Sequence, residues 1–321
     1  MLRLIKPIIK TPGLIVRVIA RVIVLVFVVG LTGLLLKLVV AGGVNLMMLT
    51  VALSAPLILA AMGGFTSERG GVINIALEGM MLMAACVDAL AAPRFGAIGG
   101  LVCGVLAATS LSLLHWLVTQ IYRIDHVISG MAINAVAAGG TNFLYLKFSD
   151  PSSNKSMPTL SMWVFYGFAF VAPVLLWLYA RQTRGGLRLL AVGSDPDKAR
   201  LMGVQPMRVR FFGLLATGFF TGIAGVGLVA YTGVFTDNMT AGRGYIALAA
   251  LILGGWRAVP ALLACLAFGF FSALQVELQG NPILGIQVPP EFWAALPYLV
   301  TIIALAGFLG KNRTPAGLGR P

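Results

Sequence analysis

Apolar runs of about 20 residues, separated by short clusters of Gly, Pro and charge, organise this chain along its length. Ten such runs stand out, at about 18–40, 45–64, 72–92, 96–120, 126–147, 161–181, 211–234, 244–256, 259–280 and 293–310. A helix needs roughly 20 apolar residues to cross the hydrocarbon core of a bilayer. The pattern therefore predicts an all-α membrane protein of about ten transmembrane helices, forming a single transmembrane domain over 1–321. The start is basic, but the apolar run after it is long, and no small-residue cleavage site precedes a polar mature domain. An uncleaved first span is expected there rather than a signal peptide.

Composition supports this reading. Of 321 residues, 59% are hydrophobic and 10% charged, against about 25% charged in a soluble domain. A net charge of +13 would point to nucleic acid in a soluble protein. Here no polar domain exists to carry such a face, and no nucleic-acid partner is expected. Lys and Arg collect instead in three places: Arg3, Lys6, Lys10, Arg17 and Arg21; Arg181, Arg184, Arg188, Lys198, Arg200, Arg208 and Arg210; and Lys311, Arg313 and Arg320. Short cytoplasmic segments attract such residues. Six spans followed by four would put all three clusters, and so both termini, in the cytoplasm. The stretches Phe148–Leu160, Phe235–Arg243 and Asn281–Phe292 then fall outside, with Arg94 a basic exception on that side.

Gly100-x-x-x-Gly104 and Gly218-x-x-x-Gly222 have the spacing that lets helices approach closely in lipid. Arg69-Gly70 precedes Ile75-Ala76-Leu77, and Arg243-Gly244 precedes Ile246-Ala247-Leu248. Five predicted spans separate the two, as in a five-plus-five inverted repeat; chance is the competing explanation.

Ionisable and amide side chains inside spans are costly and mark either a polar pathway or helix-locking contacts. Asn74 and Glu78, four apart, would share one face of a helix. They line a substrate pathway, or Glu78 locks its span to a neighbour with Arg69 as partner. Asn134 and Asn142 in the fifth span bind a polar substrate or glue helices together. Asp88 and Glu277 fall near outer span ends, where water would solvate them. His115 and His126 stand apart from any metal-ligand spacing, and Cys86, Cys103 and Cys265 lie in apolar stretches; structural roles are expected for all five. No phosphate-binding loop occurs, Gly310-Lys311-Asn312 lacking both the spacing and the hydroxyl. No hydrolytic motif occurs either. No cofactor, metal or catalytic residue is therefore expected on this chain. In the segment 181–210, Asp195 reads as an N-cap, Pro196 as the first helical residue and Gly203 as the C-terminal turn. This short helix would serve as a peg for a cytoplasmic partner or rest on lipid headgroups.

Three blocks resemble one family. Gly71-Val72-Ile73-Asn74-Ile75-Ala76-Leu77-Glu78-Gly79 is similar to the G-V-x-N-I-G-x-E-G signature of nucleoside-type permeases. These belong to the branched-chain amino acid, simple sugar and nucleoside permease superfamily of bacterial ABC importers. The stretch Gly186 to Val204 resembles the family's coupling segment, and Gly242 to Trp256 its G-R-G-F-I-A-L-A…G-x-W block. Ala76 departs from the usual Gly, and Leu190 stands at an expected Arg, with Arg188 close enough to compensate. The resemblance implies the shorter member of a permease pair in a bacterial inner membrane, importing nucleosides by alternating access. Its implied partners are a second homologous permease, a cytoplasmic ATPase that carries the ATP and Mg, and an extracytoplasmic substrate-binding protein. Asn74, Glu78, Asn134 and Asn142 are then the candidates for its substrate pathway. ATPase coupling would fall to Asp195, Pro196, Lys198, Ala199, Arg200 and Gly203. Riboflavin, a simple sugar or a branched-chain amino acid are the alternative substrates. An ion-coupled secondary transporter with Glu78 as the coupling carboxylate, or a non-transporting scaffold or receptor subunit, are the alternatives of another class.

Overall fold

The computed structural model describes residues 45–149, 157–279, 295, 302 and 314–320. The expected first span, about 18–40, lies outside the described residues, and nearly all of the last, about 293–310, does too. The chain divides into two units, 1–48 and 49–321, and the packing below belongs to the second.

Every regular element among the described residues is helical: α1 (Asn45–Glu68), α2 (Leu77–Trp116), α3 (His126–Phe148), α4 (Met162–Gln182), α5 (Arg184–Ser194), α6 (Pro196–Leu201), α7 (Pro206–Thr232), α8 (Arg243–Leu253) and α9 (Ala258–Leu278). Among the described residues, six helical stretches are long and apolar enough to cross a membrane. The longest, Leu77–Ile121, joins α2 to the π-helical turn Leu117–Ile121. It is not straight. Pro93 lacks the amide that would continue the hydrogen-bond ladder, and Gly96 adopts φ 74°, a region open to glycine at no steric cost. Residues 97–116 therefore turn back along 77–95, and a Cβ at Gly104 would lie 2.8 Å from the Ala84 carbonyl oxygen. The two predicted runs at about 72–92 and 96–120 are the two arms of this hairpin.

α7 is enclosed over most of its length and packs on both arms of α2. Gly218 and Gly222 make this possible. A Cβ at Gly222 would stand 2.7 Å from the Val105 Cα, and one at Gly218 would collide with the Thr109 backbone. Without side chains in the way, the helix backbones close to van der Waals contact, the main attraction between helices when lipid removes the hydrophobic drive. By contrast, α3 and α4 leave large apolar side chains exposed, among them Phe143, Leu146, Trp163 and Val171. Such faces suit lipid or a second membrane chain.

Between α5 and α7 the chain is more ordered than one capped peg in a loop. Thr183 caps α5, its hydroxyl accepting from the Gly186 amide at 3.0 Å, and α5 runs directly into α6. Ile75 and Ala76 lie in a turn before α2, whereas Ile246-Ala247-Leu248 lies inside α8. The two echoed triplets thus differ in local conformation.

Candidate functional site

The expectation that Asn74 and Glu78 share a helical face is not met. The helix starts at Leu77, and residues 72–76 are irregular. Gly71, at φ 92°, turns the chain out of α1 into this segment, and Val72, Asn74 and Ala76 are buried. Irregular backbone within a membrane protein is tolerable only if its polar groups are satisfied internally. Side chains from three helices do this. The Ile73 amide donates to His126 Nδ1 at 3.3 Å, and the Ile73 carbonyl accepts from His115 Nε2 at 3.0 Å. The Asn74 amide donates to Glu68 Oε1 at 3.4 Å, the Ile75 carbonyl accepts from Asn134 Nδ2 at 3.0 Å, and the Ala76 amide donates to Asn74 Oδ1 at 3.1 Å. His115 and His126 thus act together, their rings 6.4 Å apart. Their hydrogen bonds assign His126 Nδ1 as acceptor and His115 Nε2 as donor. The structural role expected for both is what the contacts show.

Glu78 sits in the first turn of α2, and its partner is not Arg69. One carboxylate oxygen accepts from the Gly242 amide at 2.7 Å, the other from the Gly244 amide at 2.6 Å. These are the orphan donors at the N-terminus of α8. Two helix N-termini, each with partial positive charge, meet on one carboxylate. That arrangement offsets much of the cost of burying Glu78, which is 8% exposed. The other end of α8 is fixed too: Trp256 follows it at φ 54°, and its indole donates to Glu68 Oε2 at 2.5 Å.

Asn134 is occupied by protein. Its carbonyl oxygen accepts from the Gly79 amide at 2.8 Å, and its amide nitrogen donates to Ile75 and, at 2.8 Å, to the Tyr245 hydroxyl. Tyr245 is 46% exposed, so the cluster around Glu78 reaches the molecular surface through this phenol. Sequence reasoning did not single out Tyr245, although it lies inside the Gly242–Trp256 block. Asn142 stands apart from the cluster and donates to Asp237 Oδ2 at 2.8 Å. Asn74 is fully buried, with its Nδ2 lacking a partner. Asp88, expected to be wetted, is 4% exposed.

The second cluster is α6 and its surroundings. Asp195 caps it as expected, accepting from the Asp197 and Lys198 amides at 3.2 and 3.1 Å. Hydrogen bonds from the Lys198 backbone and side chain hold the Asp195 carboxyl below its ordinary value. Pro196 is the first helical residue, and Gly203 has φ 80°. Ala199 and Pro196 face inward; Lys198 and Arg200 face outward and pair with Asp195 and Asp197 at 3.1 and 3.9 Å. Two apolar side chains at its C-terminal end are also largely exposed: Leu201 at 89% and Met202 at 83%. The capping residues that marked the helix gave no sign of this exposed apolar tip. Beneath α6, the segment 314–320 is laid against the loop after α1. Gly317 donates to the Gly193 carbonyl and Gly319 to the Gly71 carbonyl, both at 2.9 Å. Arg210, 2% exposed, binds the Gly70 carbonyl, Gln120 Oε1 and the Arg320 carbonyl at 3.1, 2.7 and 2.7 Å. One guanidinium thus links α7, the loop after α1, the π-helical turn and the C-terminal strap. Among the described residues, no group of His, Cys, Asp and Glu could hold a metal ion.

Residues 46–305 match the family described as branched-chain amino acid transport system / permease component. The chain is 34% identical to the guanosine ABC transporter permease protein NupQ of Bacillus subtilis, over 85% of this chain and 94% of that one. It is 34% identical to the nucleoside ABC transporter permease protein NupC of Lactococcus lactis, over 83% and 92%. It is 29% identical to the putative glucose ABC transporter permease protein TsgC13 of Haloferax volcanii, over 80% and 89%.

Proposed function

We propose that this chain, which belongs to the branched-chain amino acid transport system / permease component family, is the membrane subunit of an ATP-driven nucleoside importer. The observation that carries the substrate is the 34% identity, over nearly the full length of both chains, to permeases named for guanosine and for nucleosides. The Asn74–Glu78 block, which resembles the nucleoside type, points the same way. The relative named for glucose makes a sugar the second reading.

In this reading the protein is a multi-pass subunit of a bacterial inner membrane, with both termini in the cytoplasm and about ten spans. It pairs with a homologous permease and receives substrate from an extracytoplasmic binding protein. Two discontinuous elements, 69–76 before α2 and 233–242 before α8, meet at Glu78, and this junction supports an inverted arrangement of two halves. Asn134, Tyr245 and Glu78 form the polar edge of the pathway, with Tyr245 as the exposed ring against which a base can stack. Asn74 supports the edge from beneath, and Asn142 with Asp237 lies further along the surface.

ATP and Mg are bound by a cytoplasmic ATPase that docks on α6. Leu201 and Met202 enter an apolar socket, while Lys198 and Arg200 orient the contact. Asp195, Pro196, Ala199 and Gly203 keep the peg rigid. Its motion passes through Gly193 and Arg210 to the loop after α1, and so to the segment gripped by His115 and His126.

The test is uptake of radiolabelled guanosine into proteoliposomes holding this chain, its co-encoded permease and ATPase, and added binding protein. Accumulation that requires ATP on the ATPase side, and that resists glucose, riboflavin and leucine, supports the reading. Competition by one of these replaces the substrate. Accumulation driven by an ion gradient without ATP rejects the importer.

A further inference from the structure

A cavity of about 770 Å³ opens beside the coupling elements, between the end of α4, α5 and the first half of α7. Its lining is amphipathic. Arg188 on α5 and Arg208 in the first turn of α7 both line it, and both are exposed. Leu176, Phe212 and Phe219 line it as well. Arg208 and Phe219 lie eleven residues apart on α7, so the apolar part extends about 16 Å inward from the charge at 1.5 Å per residue. No acidic residue lines the cavity. The two acids of the neighbouring segment, Asp195 and Asp197, pair with Lys198 and Arg200. Among the described residues, Arg188 and Arg208 therefore carry cationic charge without an ion pair.

We propose that this cavity binds one anionic phospholipid of the adjoining leaflet, its phosphate between Arg188 and Arg208 and an acyl chain along Phe212 and Phe219. A soluble anion would satisfy the guanidinium groups but would leave the apolar length uncovered. A neutral lipid would cover that length but leave the charges unmatched. Basic residues at the membrane surface attract anionic headgroups, and each adds to the affinity. The volume is in the range of built ligand sites, about 300–1,000 Å³. Since α5 and the start of α7 frame α6, a lipid here would brace the peg, and this holds whatever substrate the protein carries.

Native mass spectrometry of the purified full-length chain tests the site. The chain would be titrated with phosphatidylglycerol or with phosphatidylcholine of the same acyl composition. The expected result is phosphatidylglycerol retention about tenfold above phosphatidylcholine. The Arg188→Gln/Arg208→Gln double variant should remove that preference, and Ala216→Trp, which fills the cavity, should lower retention of both lipids. Arg94→Gln, a basic residue outside the cavity, should change neither, and unaltered elution of each variant controls for folding. Equal retention of the two lipids, or a preference that survives the double variant, overturns the proposal. So does a preference for phosphatidylglycerol that inorganic phosphate abolishes, because the cavity would then be an ion site. Low retention of both lipids also overturns it, indicating a cavity filled by protein.

Discussion

The Glu78 carboxylate and the Gly244 amide meet at 2.6 Å, and nothing larger than glycine fits at the junction. A Cβ on Gly244 would lie 2.5 Å from the Glu78 nitrogen and 2.6 Å from its Cα. Two residues 166 positions apart therefore set how closely the N-termini of α2 and α8 approach. Gly244→Ala should lower thermal stability by about 1–3 kcal/mol through overpacking against backbone. Glu78→Ala removes the acceptor of the buried Gly244 amide and the half-buried Gly242 amide and should cost about 3 kcal/mol. Glu78→Gln should fall between Glu78→Ala and wild type, because one amide then faces another donor. Detergent melting curves measure all three. Wild-type stability and uptake in Glu78→Gln would reject the anchoring role.

His115 and His126 act on the same residue from two sides, so their deletions should not be independent. Each single Ala variant leaves a half-buried backbone group of Ile73 without its partner, at about 1 kcal/mol or more. The double variant should cost less than the sum by about 0.5 kcal/mol or more. A double-mutant cycle on thermal stability reads this directly, and simple additivity would show that the two rings do not share the segment.

Asp195 separates helix capping from charge. Asp195→Asn keeps an oxygen for the Asp197 and Lys198 amides and should retain coupling between ATP hydrolysis and uptake. Asp195→Ala should reduce coupling severalfold, because the two amides then lose their cap. The carboxyl lies below its ordinary 3.8 in the folded protein. Its contribution is therefore complete above that value and is lost as pH falls through the lower folded value. Coupling should accordingly show no dependence on this group between pH 6 and pH 8.

Leu201 and Met202 present exposed apolar surface at the tip of α6. Leu201→Asp/Met202→Asp should leave the melting temperature of the isolated chain within about a degree, since exposed side chains contribute little to the fold. Co-purification of the ATPase should fall at least tenfold, as expected when anchors at the centre of an interface are lost. Retention of the ATPase would place the docking surface elsewhere.

Arg210→Lys tests the C-terminal strap. Lysine keeps the charge but cannot reach three separated acceptors in a fixed fork. Hydrogen exchange of the Gly317 and Gly319 amides, which tie the strap to Gly193 and Gly71, should become faster, and stability should fall by about 2–4 kcal/mol, because the Gly70 carbonyl and Gln120 are buried with it.

The sequence alone determined what depends on local composition. Apolar length is a direct consequence of bilayer thickness, so the runs at about 45–64, 126–147, 161–181, 211–234 and 259–280 correspond to α1, α3, α4, α7 and α9. The cap at Asp195 and the turn at Gly203 were legible because both are satisfied within a few residues of themselves. The tertiary structure decided every relationship that spans the chain. Spacing placed Asn74 and Glu78 on one helix, yet the helix starts later, because side chains from α1, α2 and α3 can satisfy an irregular segment that local rules would make helical. Glu78 was visible as a costly buried acid, but its compensation comes from amides of Gly242 and Gly244, and backbone donors leave no mark in side-chain identity. The exposed tip at Leu201 and Met202 and the joint action of His115 and His126 were hidden for the same reason. Hydrophobic periodicity reports how each segment meets lipid, whereas the pairing of buried polar groups is settled only when distant segments are brought together.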